Sequence, residues 1–207
     1  MIKEHYFSTP VWFDNKPEYL DFATIYTDKY IDEARERFKK HFNTDNDFGI
    51  SHHSTSLIKD TNLSKLTEHF GKSAYDFLVE QNVDMDNYTL VVSEMWVQEF
   101  GSMGGHHNAH VHWNAHVSGF YFLKCSDQTS KPVFHDPRRA AEMIGLTPTD
   151  PQSFLNSNIH FNVHPGSMII FPAYIKHEFS VDPGKEPFRF IHFNARAIQK
   201  GLEGIAR

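Results

Sequence analysis

The hydrophobic period of the chain changes once, near residue 88. Before that point apolar residues recur at helical spacing. Leu20, Phe22, Ile25, Tyr26, Tyr30, Ile31, Ala34 and Phe38 predict one long helix or two short ones between Pro17 and Phe42. Leu66, Phe70, Ala74, Phe77 and Leu78 predict a second from about Leu63 to Val83. Lys and Arg gather toward the end of the first, where the helix dipole favours them. Ahead of both, Tyr6-Phe7 and Val11-Trp12-Phe13, split by Pro10, suit an edge strand. The polar stretch 43–56 reads as a loop with His52-His53 on the surface, leading into a short strand at Ser56-Leu57-Ile58.

From Tyr88 the runs are short, β-branched and aromatic, and predict strands at 88–100, 108–113, 117–124, 132–135, 159–164, 167–172, 177–181 and 187–196. About eight strands over about 110 residues, with turns such as Asp182-Pro183-Gly184-Lys185, predict a mainly β chain with flanking helices. The β part is expected to be an antiparallel, cupin-like jelly roll, or double-stranded β-helix. The one interruption is 136–156, where Arg138 to Ile144 suits a helical turn before a Pro148 to Pro151 loop, placed to shape a pocket mouth. The 207 residues are expected to form a single domain over 1–207, with an N-terminal strand and supporting helices in 1–87 and the jelly-roll core in 88–198.

Composition narrows the function. Apolar residues make up 40% and there are 19 Phe, which fits a folded chain rich in ring packing. A net charge of -6 argues against general nucleic-acid binding, which needs a basic surface. No apolar run reaches the roughly 18 to 20 residues of a membrane span, and Met1-Ile2-Lys3-Glu4-His5 lacks a signal-peptide pattern. The single cysteine, Cys125, excludes an internal disulfide, fits a reducing compartment and reads as a small buried apolar residue. A cytoplasmic location is expected.

Histidine is where the chemistry gathers: six of the 15 fall between His106 and His135. On an extended strand side chains two apart share a face, so His110 and His112 can converge on one ion. A third ligand is expected from His177, which follows the apolar run Ile169-Ile170-Phe171-Pro172 and its turn. In a jelly roll, strands distant in sequence meet at one end, and three such ligands suit a mononuclear non-haem iron centre. A three-His set equally suits Zn(II) with a bound water.

These residues resemble the Fe(II)/2-oxoglutarate-dependent oxygenase superfamily, and more narrowly a 2OG-Fe(II) oxygenase subfamily of bacteria and phages. The similarity runs through Trp96 to Gly101, His110-Val111-His112-Trp113-Asn114, Ser118-Gly119-Phe120-Tyr121-Phe122-Leu123 and Phe134-His135-Asp136-Pro137-Arg138. It closes with Pro165-Gly166-Ser167, Phe171-Pro172, His177 and Arg189 to Asn194, and opens with Tyr6 to Val11. The resemblance implies an oxidoreductase, a dioxygenase that binds Fe(II), takes 2-oxoglutarate as cosubstrate and uses O2. It would release succinate and CO2 and hydroxylate a small-molecule or peptide substrate.

It also implies Fe(II) ligation by His110 and His177, and a bidentate grip of Arg189 on the distal carboxylate of 2-oxoglutarate. Where the superfamily commonly has Asp or Glu, this chain has His112. The third ligand is therefore His112, Asp136 from the following turn, or no protein group at all, with His112 preferred. Gln98 and Tyr121 are candidate hydrogen-bond partners of the keto acid. Alternative functions are a cupin-like metalloenzyme that does not use 2-oxoglutarate and a non-enzymatic jelly-roll structural or binding protein. Homo-oligomer formation is open.

Overall fold

A computed structural model describes residues 2, 6–138, 140, 143, 145–147, 149, 150 and 156–202. Among them ten strands form two antiparallel sheets. The strands are β1 (Trp12–Asn15), β2 (Ser51–His53), β3 (Tyr88–Phe100), β4 (His107–His110), β5 (Val117–Lys124), β6 (Pro132–His135), β7 (Asn158–His160), β8 (Ser167–Pro172), β9 (His177–Phe179) and β10 (Arg189–Gln199). The larger sheet has the order β1-β8-β5-β10-β3-β2 and the smaller β4-β9-β6-β7. Two facing sheets with this order make the expected jelly roll.

Two helices cover the outer face of the larger sheet. Helix α1 (Leu20–Phe42) follows a 3-10 turn at Pro17–Tyr19 and buries Ala23, Thr27, Ile31 and Ala34, one per turn. It stops at Asn43, whose φ of 51° puts the backbone in the left-handed region that ends helices. Helix α2 (Ser64–Glu80) buries Leu66, Phe70, Ala74 and Phe77. Phe70 stacks on Phe193 of β10 at 4.2 Å between centroids. Gly119 of β5 permits this approach, since a Cβ there would lie 2.8 Å from the Ile169 carbonyl oxygen and closer still to the Phe193 ring.

The larger sheet is therefore buried on both faces. Its outer face gives Met95, Val97, Tyr121, Ile191, Phe193 and Ala195 to the helix core. Its inner face gives Phe100, Phe120, Phe122, Phe171, Phe188 and Phe190 to the barrel, where Phe134 and Phe179 of the smaller sheet meet them.

Arg189 falls on the outer face. Its guanidinium pairs with Glu99 of β3 and, at 2.5 Å, with Asp28 of α1, while Arg35 of α1 also reaches Glu99. This cluster ties the long helix to the sheet.

Some local expectations change. Strand β2 occupies Ser51–His53 inside the expected loop, pairing with β3, whereas 56–58 forms no strand. His52 is buried and bonds Asp47 at 3.1 Å; Asp47 also accepts from the Ser102 backbone and hydroxyl, which fastens this segment to the loop after β3. The expected helical turn at 138–144 and the loop at 148–151 lie largely outside the described residues.

Candidate metal centre

His110 ends β4 and His177 begins β9, and the two are a cross-strand pair, which sets their rings 4.4 Å apart. His112 lies beyond the end of β4, so strand alternation is not what aims it. Its backbone N–H bonds the Ala173 carbonyl at 3.0 Å, and Ala173 N–H bonds the His116 carbonyl at 3.1 Å. These two bonds lace the turn after β4 to the turn before β9, and Asn114 with φ 59° lets the chain reverse there.

One ring nitrogen from each of His110, His112 and His177 lies within 4.8 Å of the others. The Nε2 atoms of His112 and His177 are 3.2 Å apart. Two nitrogens at that spacing, each about 2.1 Å from one ion, would subtend about 100°. That is an ordinary ligand angle.

Two of the second nitrogens are pinned as donors. His177 Nδ1 bonds the Ile175 carbonyl at 2.9 Å and His110 Nδ1 bonds the Asn108 carbonyl at 2.7 Å. A carbonyl only accepts, so each Nδ1 donates and each Nε2 keeps its lone pair for a metal. His112 differs: its Nδ1 lies 3.3 Å from the Asn194 side-chain nitrogen, a donor, so Nδ1 accepts. In the metal-free protein the His112 proton therefore sits on Nε2, toward the His177 lone pair, and a metal at Nε2 requires that proton to move. Asn194 is itself held by Ser118, whose hydroxyl donates at 2.6 Å, and by Glu94, which accepts at 2.6 Å.

Burial, helped by neighbouring imidazoles, pushes His112 down to about 3. Burial, outweighing the bond to Ile175, takes His177 to about 2. Both are neutral at pH 7, the state in which imidazole binds metal. The donor set therefore suits a divalent cation such as Fe(II).

A family model described as "Putative 2OG-Fe(II) oxygenase" matches residues 94–194. The match spans 101 of the 207 residues, just under half of the chain. The match begins and ends at Glu94 and Asn194, the hydrogen-bonded pair beside His112, and contains all three histidines.

Solved structures show the same fold. A Pseudomonas putida prolyl-4-hydroxylase aligns at 10% identity over 91% of this chain and 94% of that one, with TM-score 0.54. SnoN, a non-heme alpha-ketoglutarate-dependent epimerase from nogalamycin biosynthesis, aligns at 11% over 92% and 79%, TM-score 0.54. A Trichoplax adhaerens prolyl hydroxylase, in complex with a hypoxia inducible factor peptide fragment, aligns at 9% over 95% and 87%, TM-score 0.51. No curated protein matches the chain.

Within this oxygenase fold the other expected site residues separate. Arg189 points away from the histidines into its cluster with Glu99 and Asp28. Tyr121 shares that outer face, and its hydroxyl donates to the Lys16 carbonyl at 2.6 Å. Asp136 stands apart from the three histidines and forms a two-point pair with Arg138, at 3.0 and 2.8 Å. Gln98 does face the barrel, but its amide is committed to Ser51 at 3.1 Å, His53 at 2.8 Å and the Trp96 indole N–H at 2.9 Å.

The structure adds partners around the three histidines, of which the sequence had pointed only to His107 as a residue placed to stand beside the ligands. Asn194, Glu94 and Ser118 stand behind His112, His107 packs 4.4 Å from His110, and His192 packs 4.3 Å from His112. For His192 and Asn194 the signal was alternation along β10, where they share with Phe190 the face opposite Arg189.

Proposed function

We propose that His110, His112 and His177 hold Fe(II) through their Nε2 atoms, and that the protein is a 2-oxoglutarate-dependent dioxygenase hydroxylating a small-molecule or peptide substrate. The observation that carries the reading is the convergence of three imidazoles, two of them fixed by backbone carbonyls with Nε2 toward the common centre. Iron with 2-oxoglutarate and O2 supplies, when bound, an oxidant for an unactivated C–H bond, with succinate and CO2 as coproducts.

The chain's own part is to bind and orient. The laced turns fix the spacing of His112 and His177, and the Ile175 and Asn108 carbonyls hold the protons on Nδ1. The Phe120, Phe134 and Phe171 rings around His177 keep water from its inner side. Three neutral imidazoles leave the ion one charge more positive than a set with one carboxylate, which strengthens its hold on an anionic chelate.

We place the protein in the cytoplasm because its one thiol, Cys125, is raised to about 12 by burial and suits a reducing compartment. The net charge of -6 supports a partner other than nucleic acid.

Anaerobic addition of Fe(II) and 2-oxoglutarate tests the reading. The expected result is one iron per chain, a weak visible metal-to-ligand band, and 2-oxoglutarate-dependent succinate on admitting O2. Iron bound with no response to 2-oxoglutarate would favour a cupin-like metalloenzyme without that cosubstrate. A folded protein that binds no iron would end the proposal.

A further inference from the structure

The buried imidazole of His192 has no part in the account so far. It faces the barrel from β10, between its cross-strand neighbours Trp96 of β3 and Phe120 of β5. It is 1% exposed, and among the described residues neither of its ring nitrogens meets a hydrogen-bond partner. The ring packs 4.3 Å from His112, 4.4 Å from Trp96 and 5.0 Å from Phe120, and lies within 14° of parallel to His177 at 6.5 Å.

An unpaired buried N–H costs stability, and native proteins keep such groups where something else completes the pair. Packing does not call for the imidazole. Phe190 occupies the same face of β10 and Phe188, just before the strand, joins it in the same cluster, so phenylalanine at 192 would extend that row without stranding a polar atom.

An imidazole carries at least one N–H in either protonation state, so the ring has a hydrogen to give. Its ring neighbours accept nothing from it: no nitrogen of His112 or His177 lies within hydrogen-bond reach of its ring nitrogens. Phe120 has no acceptor, and the Trp96 indole is a donor already spent on Gln98.

The acceptor must then come from a bound molecule, and His192 lies against two candidate ligands of the metal. The only cation expected to hold the keto acid, Arg189, is on the far side of the sheet. We propose that His192 binds the cosubstrate, donating its ring N–H to a carboxylate oxygen of 2-oxoglutarate held at the histidine centre. This rests on the oxygenase reading, and it gives this chain an imidazole contact among the phenyl rings of the barrel.

The test compares wild type, His192→Phe and His192→Gln. Each is assayed for iron content, for the Kd of 2-oxoglutarate from the anaerobic visible band, and for the Tm of the metal-free protein. For His192→Phe, full iron content, a Kd weakened about ten- to a hundredfold, and a Tm equal to or above wild type are expected. His192→Gln keeps an N–H and should recover part of the affinity. A His192→Phe Kd within about twofold of wild type overturns the proposal while leaving the oxygenase reading intact. So does a lower Tm or lost iron in both variants, because the ring would then be structural. No 2-oxoglutarate response in wild type would bring down the oxygenase reading, and this contact with it.

Discussion

Arg189→Ala separates the role expected from sequence from the one the fold gives it. Arg189 is 3% exposed and Glu99 2% exposed, so the substitution strands a carboxylate inside the protein. Removing one partner of a buried pair costs about 3–5 kcal/mol. Arg35 still reaches Glu99 from α1, which argues for the lower end, about 3 kcal/mol. At ~2–4 °C per kcal/mol for a chain of this size, the metal-free Tm should fall by about 6–12 °C. The double variant Arg189→Met/Glu99→Met removes both charges and should recover most of the loss. Thermal unfolding gives the first quantity, and anaerobic titration of 2-oxoglutarate into the iron-loaded protein gives the second, an unchanged Kd. An unchanged Tm with a Kd weakened about tenfold would refute the reasoning, because the guanidinium would then leave Glu99 and act inside the barrel.

Protonation supplies a second test. His177 and His192 have depressed folded values against about 6.5 when unfolded, so the unfolded chain takes up protons first as pH falls. Stability of the metal-free protein should be level above pH 7 and drop by about 2 kcal/mol per ring between pH 7 and 5, seen in urea unfolding; a flat profile would contradict their burial. Gly119→Ala drives a methyl into the Ile169 carbonyl and the Phe193 ring, and a Tm loss corresponding to about 3 kcal/mol is expected. Tyr121→Phe should cost about 1 kcal/mol through the lost bond to Lys16 and leave 2-oxoglutarate affinity untouched. Asn194→Leu removes the group facing His112 Nδ1 and should weaken iron binding about 10- to 100-fold by metal titration; equal affinity would take Asn194 out of the site.

Elements with a long apolar stripe, or an apolar run between clear turns, were legible from the sequence. The stripes of α1 and α2 and the runs 117–124, 132–135 and 167–172 correspond to the observed elements because their apolar patterns are long or bounded by clear turns. His110 and His177 were legible because each sits at a strand end. The side taken by Arg189 was not. β10 is covered by helices on one face and faces the barrel on the other, so both alternating sets are apolar and the pattern does not say which points inward. His112 was chosen by a strand argument, yet a turn held through Ala173 brings it to the cluster. His52 looked like a surface residue because its partner, Asp47, lies in a polar stretch whose fold depends on the loop after β3.

The rings around the three histidines differ in how easily they lose an electron. Those touching His177 are phenylalanines at 120, 134 and 171, which resist oxidation, while the methionines Met95 and Met168 and the phenol of Tyr121 lie beyond the sheet. Trp96 is the exception, 6.2 Å from His112 and 4.4 Å from His192. Turnover without substrate should therefore scar this protein first at one indole, and a 16-Da mass gain confined to the peptide carrying Trp96 would record each misfire.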